Sequence, residues 1–288
     1  MKIQITADST CDLSPTLLSE CGIRIMPLAV TKGGNAYLDG VNISPSEIFQ
    51  HVDGGGSLCV TSARNPEEYN AAFQSWAKEA DAVVHISLGS SFSSSYKNAV
   101  LGAQPLSNVY VVDSKNLSTG QGHIVLEACK LAAHCRSVEG MVAKLEALTA
   151  QVDASFLINR LDYMVKGGRC SSAAALGANL LSLKPCIEVV NGSMRVCKKY
   201  RGSFERCIQA YIRERLSKHD IWTDRLFITY TAVPPSVLQA VLETVNECAH
   251  FSHIYETRAG CTVSCHCGPG TLGILFIRGK NPFGFEIE

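Results

Sequence analysis

Three polar clusters in otherwise apolar surroundings hold the residues able to do chemistry in this sequence. They are Thr61-Ser62, the run Ser90-Ser91-Phe92-Ser93-Ser94-Ser95, and Lys166-Gly167-Gly168-Arg169. Each follows a segment that reads as a strand or an apolar turn, and none comes with an obvious nucleophile–base pair. Neutral hydroxyls, bendable backbone and a guanidinium can hold an anionic head group by hydrogen bonds without reacting with it. This favours a carrier of a small acidic ligand over a hydrolase. Asn65 is the better N-cap for the helix that follows Thr61-Ser62, so that pair is not needed for capping. Five serines in six positions suit a core poorly. They sit between a strand and a helix, where free backbone N–H groups collect and favour an anion. The run lacks the Gly-Lys-Ser/Thr ending of a phosphate loop. Arg169 can clamp a carboxylate or phosphate with two N–H groups. A helix C-cap or an interdomain salt bridge would use the same residues.

Cys261, Cys265, His266 and Cys267 have the right types for zinc but the wrong spacing. Read as an extended segment, consecutive residues 265–267 point to opposite faces, and no second Cys-x-x-Cys completes a site. No metal is expected. His266, just before Gly268-Pro269-Gly270, reads as a hydrogen-bond partner reaching the ligand rim. Asp8-Ser9 and Asp113-Ser114 read as turn or cap pairs.

The elements that position these residues alternate. Segments 2–6, 23–30, 82–88 and 109–112 read as strands. Helices are expected after Ser14-Pro15 and over 119–135 and 137–151. Ser44-Pro45-Ser46-Glu47 and Asn65-Pro66-Glu67-Glu68 are capping boxes. Such alternation predicts a parallel sheet wound on both faces, with ligands beyond the carboxyl ends of its strands. From residue 154 the texture changes. A short helix over 161–165 ends at Gly167-Gly168. Asn191-Gly192 marks a type I′ hairpin. A helix covers 203–216, and 225–257 reads as a β-α-β unit before a last strand at 273–277. The expected architecture is α/β with two domains, a doubly wound parallel sheet over 1–152 and a mixed α/β domain over 153–288.

The 288 residues have a formal net charge of zero and only 18% charged residues. No basic surplus neutralises phosphates, so nucleic acid is not an expected partner. No polybasic block suggests an anionic membrane surface. The longest uncharged stretch, 259–277, has Cys-His-Cys-Gly-Pro-Gly in its middle, so stable membrane insertion is not expected. Met1-Lys2 runs straight into a strand pattern without a signal-peptide apolar region, which predicts a cytoplasmic protein. The 13 cysteines, scattered and odd in number, are then expected as reduced thiols.

Taken in order along the chain, these motifs resemble the DegV family of bacterial fatty-acid-binding proteins. The resemblance rests on Ala7-Asp8-Ser9-Thr10-Cys11-Asp12-Leu13-Ser14, Asp39-Gly40, Thr61-Ser62, Ser91-Phe92-Ser93-Ser94-Ser95-Tyr96 and Val112-Asp113-Ser114. It continues through Lys166-Gly167-Gly168-Arg169, Lys184-Pro185, Arg201-Gly202 and His266-Cys267-Gly268-Pro269-Gly270. It implies one long-chain, palmitate-like fatty acid in a tunnel between the two domains. Its carboxylate would be held by Thr61 and Ser93, with Ser62 and Ser94 beside them and His266 near the head group. Arg169 and Arg201 would serve the head-group region or docking of a fatty-acid kinase that turns the acid into an acyl phosphate. No catalysis and no cofactor are implied. The family's Ser-Gly-Thr is here Ser93-Ser94-Ser95, and losing Gly at Ser94 restricts positive φ there. A chain of about sixteen methylenes offers on the order of 10 kcal/mol of burial, only part of which survives the ordering cost. The small apolar run from Ala173 to Ala178, with Leu180 and Leu181, is a candidate tunnel wall. The alternative is an enzyme transferring phosphoryl or acyl groups through the Ser-rich loop, with His266 as the base for Ser93. A third reading is a scaffold with a vestigial cleft.

Overall fold

The computed structural model describes residues 1–175, 183–217, 220–281 and 283. The candidate tunnel residues Leu176, Gly177, Ala178, Leu180 and Leu181 lie outside them.

The first half of the chain forms β1 (Ile3–Asp8), α1 (Pro15–Glu20), β2 (Arg24–Met26), β3 (Ala29–Lys32), β4 (Asn35–Leu38), α2 (Pro45–Asp53), β5 (Val60–Ser62), α3 (Pro66–Ala77), β6 (Ala82–Ser87), α4 (Ser95–Ala103), β7 (Val109–Asp113), α5 (Ser118–His134) and α6 (Val138–Leu148). A four-stranded sheet runs β2-β1-β6-β7, parallel throughout. Val84 and Ile86 of β6 join Leu17 of α1, Ile124 of α5 and Leu145 of α6 on one face. His85 points the other way, against Tyr69 and Phe73 of α3. Helices therefore cover both faces, as expected of a doubly wound sheet. Both capping boxes form. The Asn65 Oδ1 accepts from the Glu68 N–H at 2.8 Å while the Asn65 N–H donates to Glu68 at 2.9 Å. Glu47 accepts from the Ser44 N–H at 2.8 Å.

Residues 23–30 are not one strand. Pro27 has no N–H for a ladder, and the chain leaves the parallel sheet there. It resumes as β3 at the centre of a separate antiparallel sheet ordered β4-β3-β5. Thr61 and Ser62 thus lie within a strand of this small sheet, not in a loop beyond the parallel one.

The second half forms β8 (Val152–Leu157), α7 (Asp162–Gly167), α8 (Ser171–Ala174), β9 (Leu183–Val190), β10 (Ser193–Arg201), α9 (Phe204–Ser217), β11 (Ile221–Tyr230), α10 (Pro235–Cys248), β12 (His253–Arg258), α11 (Cys261–Cys267) and β13 (Leu272–Arg278). Its sheet runs β10-β9-β8-β13-β11-β12, antiparallel except for the β11–β12 pair that α10 connects. Asn191 and Gly192 both have positive φ (50° and 78°), as a type I′ turn demands. The amphipathic helices α9 and α10 cover one face through Ile208, Ile212, Val241 and Val245. Against the other face lies α5, whose cluster takes in Ala154, Phe227 and Leu275. Helix α5 is therefore walled on two sides, and every residue from Ser118 to Ala128 is buried. Three of its polar side chains are paired across to the second sheet. Thr119 meets Thr229 at 2.6 Å, the His123 Nε2–H donates to the Leu275 carbonyl at 3.0 Å, and Glu127 binds Arg225 at 2.7 Å.

Residues 265–267 are helical, not extended, which corrects the sequence-based expectation. No helix among the described residues is long and apolar enough to cross a membrane. They also contain no group of three or more metal-binding side chains arranged to hold an ion.

Candidate ligand-binding site

Strand β5, the Ser-rich loop before α4, the Gly-Gly-Arg turn after α7 and helix α11 converge on one cavity of about 290 Å³. Thr61, Ser62, Ser93, Ser94, Arg169 and His266 all line it; Arg201, exposed at the end of β10, does not. Leu28, Leu88, Phe92, Leu117, Met164 and Met194 make most of the remaining wall apolar. A second, narrower slot of about 30 Å³ shares Leu117, Val263 and Cys267 with the first and runs between α5 and the second sheet, past Phe156 and Leu275. One end is rich in hydroxyls and edged by the Arg169 cation; the surface of the second slot is almost wholly apolar. That is the polarity of an amphiphile.

The Thr61 hydroxyl lies 2.8 Å from His266 Nε2. Burial, and secondarily the Arg169 cation, push His266 down to about 4, so the ring is neutral at neutral pH. Its Nδ1 is buried without a partner. A bare lone pair is easier to leave there than an N–H, which favours the proton on Nε2. In that tautomer His266 donates to Thr61, and the Thr61 hydrogen is free for an acceptor in the cavity. The fit around the ring is close: a Cβ on Gly167 would stand 2.5 Å from Nδ1.

Two carboxylates of the first half hold the helix that carries His266. Asp39 accepts from the Cys261 N–H at 2.7 Å, the Thr262 N–H at 3.0 Å and the Ser9 hydroxyl at 3.1 Å. Asp12 accepts from the Gly260 N–H at 2.8 Å and the Ser118 hydroxyl at 2.6 Å. These are the orphan donors at the start of α11, met from across the molecule. Burial, reinforced by Asp39, raises the Asp12 carboxyl to about 8 despite those hydrogen bonds.

Two carboxylates anchor the Ser-rich loop where it leaves β6. Asp8 accepts from the Tyr69 hydroxyl at 2.6 Å, the Ser87 hydroxyl at 2.8 Å and the Leu88 N–H at 2.8 Å. His85 Nε2 stands 3.3 Å from the same carboxylate without a well-aligned hydrogen bond. Burial pushes the Asp8 carboxyl up, but His85, Tyr69 and the Leu88 N–H outweigh it and hold it below its ordinary value. Asp8 is thus a buried anchor and not a turn former. Asp113 is the turn residue expected of it, accepting from the Ser90 N–H at 3.1 Å, the Ser90 hydroxyl at 2.6 Å and the Lys115 N–H at 2.9 Å. Within the loop, Ser93 and Ser95 hydroxyls are 2.9 Å apart. Ser94 has φ −76°, a conformation open to any L-residue, so this loop does not need glycine there.

Arg169 is exposed, and its Nη1 donates to the Gly167 carbonyl at 2.6 Å. The hydroxyl beside His266 is that of Thr61, whereas Ser93 has Ser95 as its partner; among the described residues no imidazole is hydrogen-bonded to Ser93. Sequence reasoning missed the apolar wall, notably Met164 and Met194. The inward alternation of Met194 and Val196 on β10 was the available signal.

A sequence profile of the DegV family matches residues 2–279. A DegV domain-containing protein of Clostridium acetobutylicum is 30% identical over 280 residues, covering 96% of this chain and 98% of that protein. A solved structure concerns fatty acid binding by a DegV family protein of Thermus thermophilus. It superposes with TM-score 0.87 at 29% identity and covers 97% of this chain and 100% of that one. A DegV lipid-binding protein of Thermotoga maritima superposes with TM-score 0.84 at 25% identity, over 96% and 99% of the two chains.

Proposed function

The chain belongs to the DegV family, and on that premise we propose that it binds one long-chain fatty acid as a carrier, without turning it over. The two lobes divide near residues 152 and 153, and the acid lies between them. Thr61 and Ser93 hold its carboxylate, with Ser62 and Ser94 completing the ring of hydroxyls and His266 fixing the direction of the Thr61 hydrogen. Arg169 supplies the countercharge at the cavity rim. The acyl chain follows the apolar wall toward Phe156 and Leu275. The observation that carries this reading is the junction of a hydroxyl-lined, cation-edged cavity with an apolar slot. Burying a carboxylate requires several donors, and this end supplies them.

In this reading the protein acts in the cytoplasm and presents the acid to a fatty-acid kinase that forms the acyl phosphate. The exposed Arg201 belongs to the docking surface. Native mass spectrometry on gently purified protein, followed by organic extraction, tests the carrier reading. One acyl chain per protein is expected, with occupancy reduced roughly tenfold by Thr61→Ala or Ser93→Ala, the loss of about one good hydrogen bond to a charged group. Protein that carries no lipid and takes up none when offered palmitate sinks it. Arg201→Ala should slow acyl-phosphate formation by the kinase and leave lipid occupancy unchanged.

A further inference from the structure

The β9–β10 hairpin carries a thiol pair outside the ligand site. Its ladder slips at Cys197: Val196 pairs with Ile187 and Lys198 with Cys186. Cys197 is therefore the extra residue of a β-bulge, where two residues of one strand oppose a single residue of the other. That sets Cys197 against Cys186, and the Cys197 Sγ lies 3.5 Å from the Cys186 carbonyl oxygen. The two sulfurs differ in access. Cys186 is 1% exposed, whereas Cys197 is exposed.

Each thiol is the largest influence on the other. The neighbouring Cys186 thiol and, less, the Arg215 cation lower Cys197 against burial and the Glu188 carboxylate; Cys197 and then burial raise Cys186. An accessible thiol lowered by its neighbours and set beside a second thiol is the arrangement in which peroxide attack at the first ends in a disulfide to the second. Two further pairs interact, Cys21 with Cys129 and Cys59 with Cys265. Burial raises Cys129, Cys59 and Cys265, which leaves those pairs inert.

We propose that Cys197 and Cys186 are a redox modification site, forming a reversible intrachain disulfide when the protein meets a two-electron oxidant of the hydrogen peroxide class. The Cys197 thiolate attacks one peroxide oxygen and the O–O bond breaks. This leaves a sulfenic acid and a hydroxide that takes up a proton to become water. The Cys186 sulfur then attacks the sulfenic sulfur, the S–O bond breaks, and the hydroxyl leaves with the Cys186 proton as a second water. The two thiols lose two electrons and two protons, and one peroxide is reduced to two waters. The disulfide would pin the bulge beside Val196, whose N–H bonds the Ser172 hydroxyl at 2.9 Å, and close to Met194 in the wall of the ligand cavity.

The test treats the reduced full-length protein with stoichiometric hydrogen peroxide, quenches the peroxide, unfolds the protein in guanidinium to block remaining thiols with N-ethylmaleimide, and maps the digest by mass spectrometry. The expected product is a peptide pair linked through Cys186 and Cys197, lighter by two hydrogens and lost on dithiothreitol treatment. Cys186→Ser should stop the reaction at a Cys197 sulfenic acid that dimedone traps, and Cys197→Ser should leave Cys186 fully alkylated. Either of two results overturns the proposal. One is full alkylation of both residues at peroxide levels that oxidise other cysteines. The other is oxidation of Cys197 to the sulfinic acid while Cys186 in the wild-type protein remains alkylatable.

Discussion

His266 shows how one residue is made into a positioning device. Burial keeps its ring neutral, Thr61 takes its Nε2, and the missing Cβ of Gly167 makes room for Nδ1. Gly167→Ala would press a methyl into that ring. It should weaken palmitate binding on the order of tenfold, about 1.4 kcal/mol, as read by a fluorescent fatty-acid displacement assay, with secondary structure retained by circular dichroism. The depressed pKa also has a stability consequence. Between about 4 and the ordinary 6.5 the unfolded chain binds a proton at this histidine and the folded chain does not. The histidine's contribution to stability is therefore fully present above pH 6.5 and is lost as pH falls toward 4. His123, pushed down by burial and then by Arg225, contributes with the same sign. The Asp12 carboxyl, raised to about 8, acts with the opposite sign over this range, so the His266 contribution is read as the difference in slope between the wild-type protein and His266→Gln in urea unfolding across pH 7 to 4. An unchanged slope in that variant would mean that His266 is not the neutral buried group described.

At the scale of elements, α11 is the instructive case. It has seven residues, three of them cysteine, and no side-chain cap of its own. Isolated, such a segment does not hold a helix. Asp39 and Asp12 supply the capping from the other half of the chain, so the helix and the orientation of His266 come from one set of contacts. Asp39→Ala leaves the Cys261 and Thr262 N–H groups buried without acceptors. It should cost about 1–3 kcal/mol in chemical denaturation and weaken fatty-acid binding in the same variant. The hairpin of β9 and β10 is the opposite kind of element, with a turn that Asn191-Gly192 specifies locally.

Across the whole molecule, α5 is the shared core. It belongs to the doubly wound layer by sequence, yet its Glu127 and His123 are spent on Arg225 and Leu275 of the second sheet. Arg225 and Glu127 are both almost fully buried. Arg225→Met strands most of the Glu127 charge and should destabilise the protein by about 3–5 kcal/mol. Adding Glu127→Leu should recover most of that loss, since a buried pair replaced by apolar groups of similar size is often neutral. Equilibrium unfolding of the two variants checks the prediction; a loss in the double variant as large as in Arg225→Met would show that the pair is net stabilising over apolar groups.

The two capping boxes, the Asn-Gly turn, the glycine stop at Gly168 and the strand–helix alternation were legible in the sequence because each depends on residues a few positions apart. The order of the hydroxyl, Gly-Gly-Arg and His-Cys-Gly-Pro-Gly motifs pointed to the family and so to the six residues that line the cavity. Local pattern could not show that the chain leaves the sheet at Pro27 to build a second one, that residues 261–267 are helical, or that His266 meets Thr61 and not Ser93. Thr61 and His266 are 205 positions apart, and Asp12 and Gly260 are 248 apart. Hydrogen bonds over such separations follow from how two sheets pack on α5, and side-chain periodicity along a single segment carries no record of that packing.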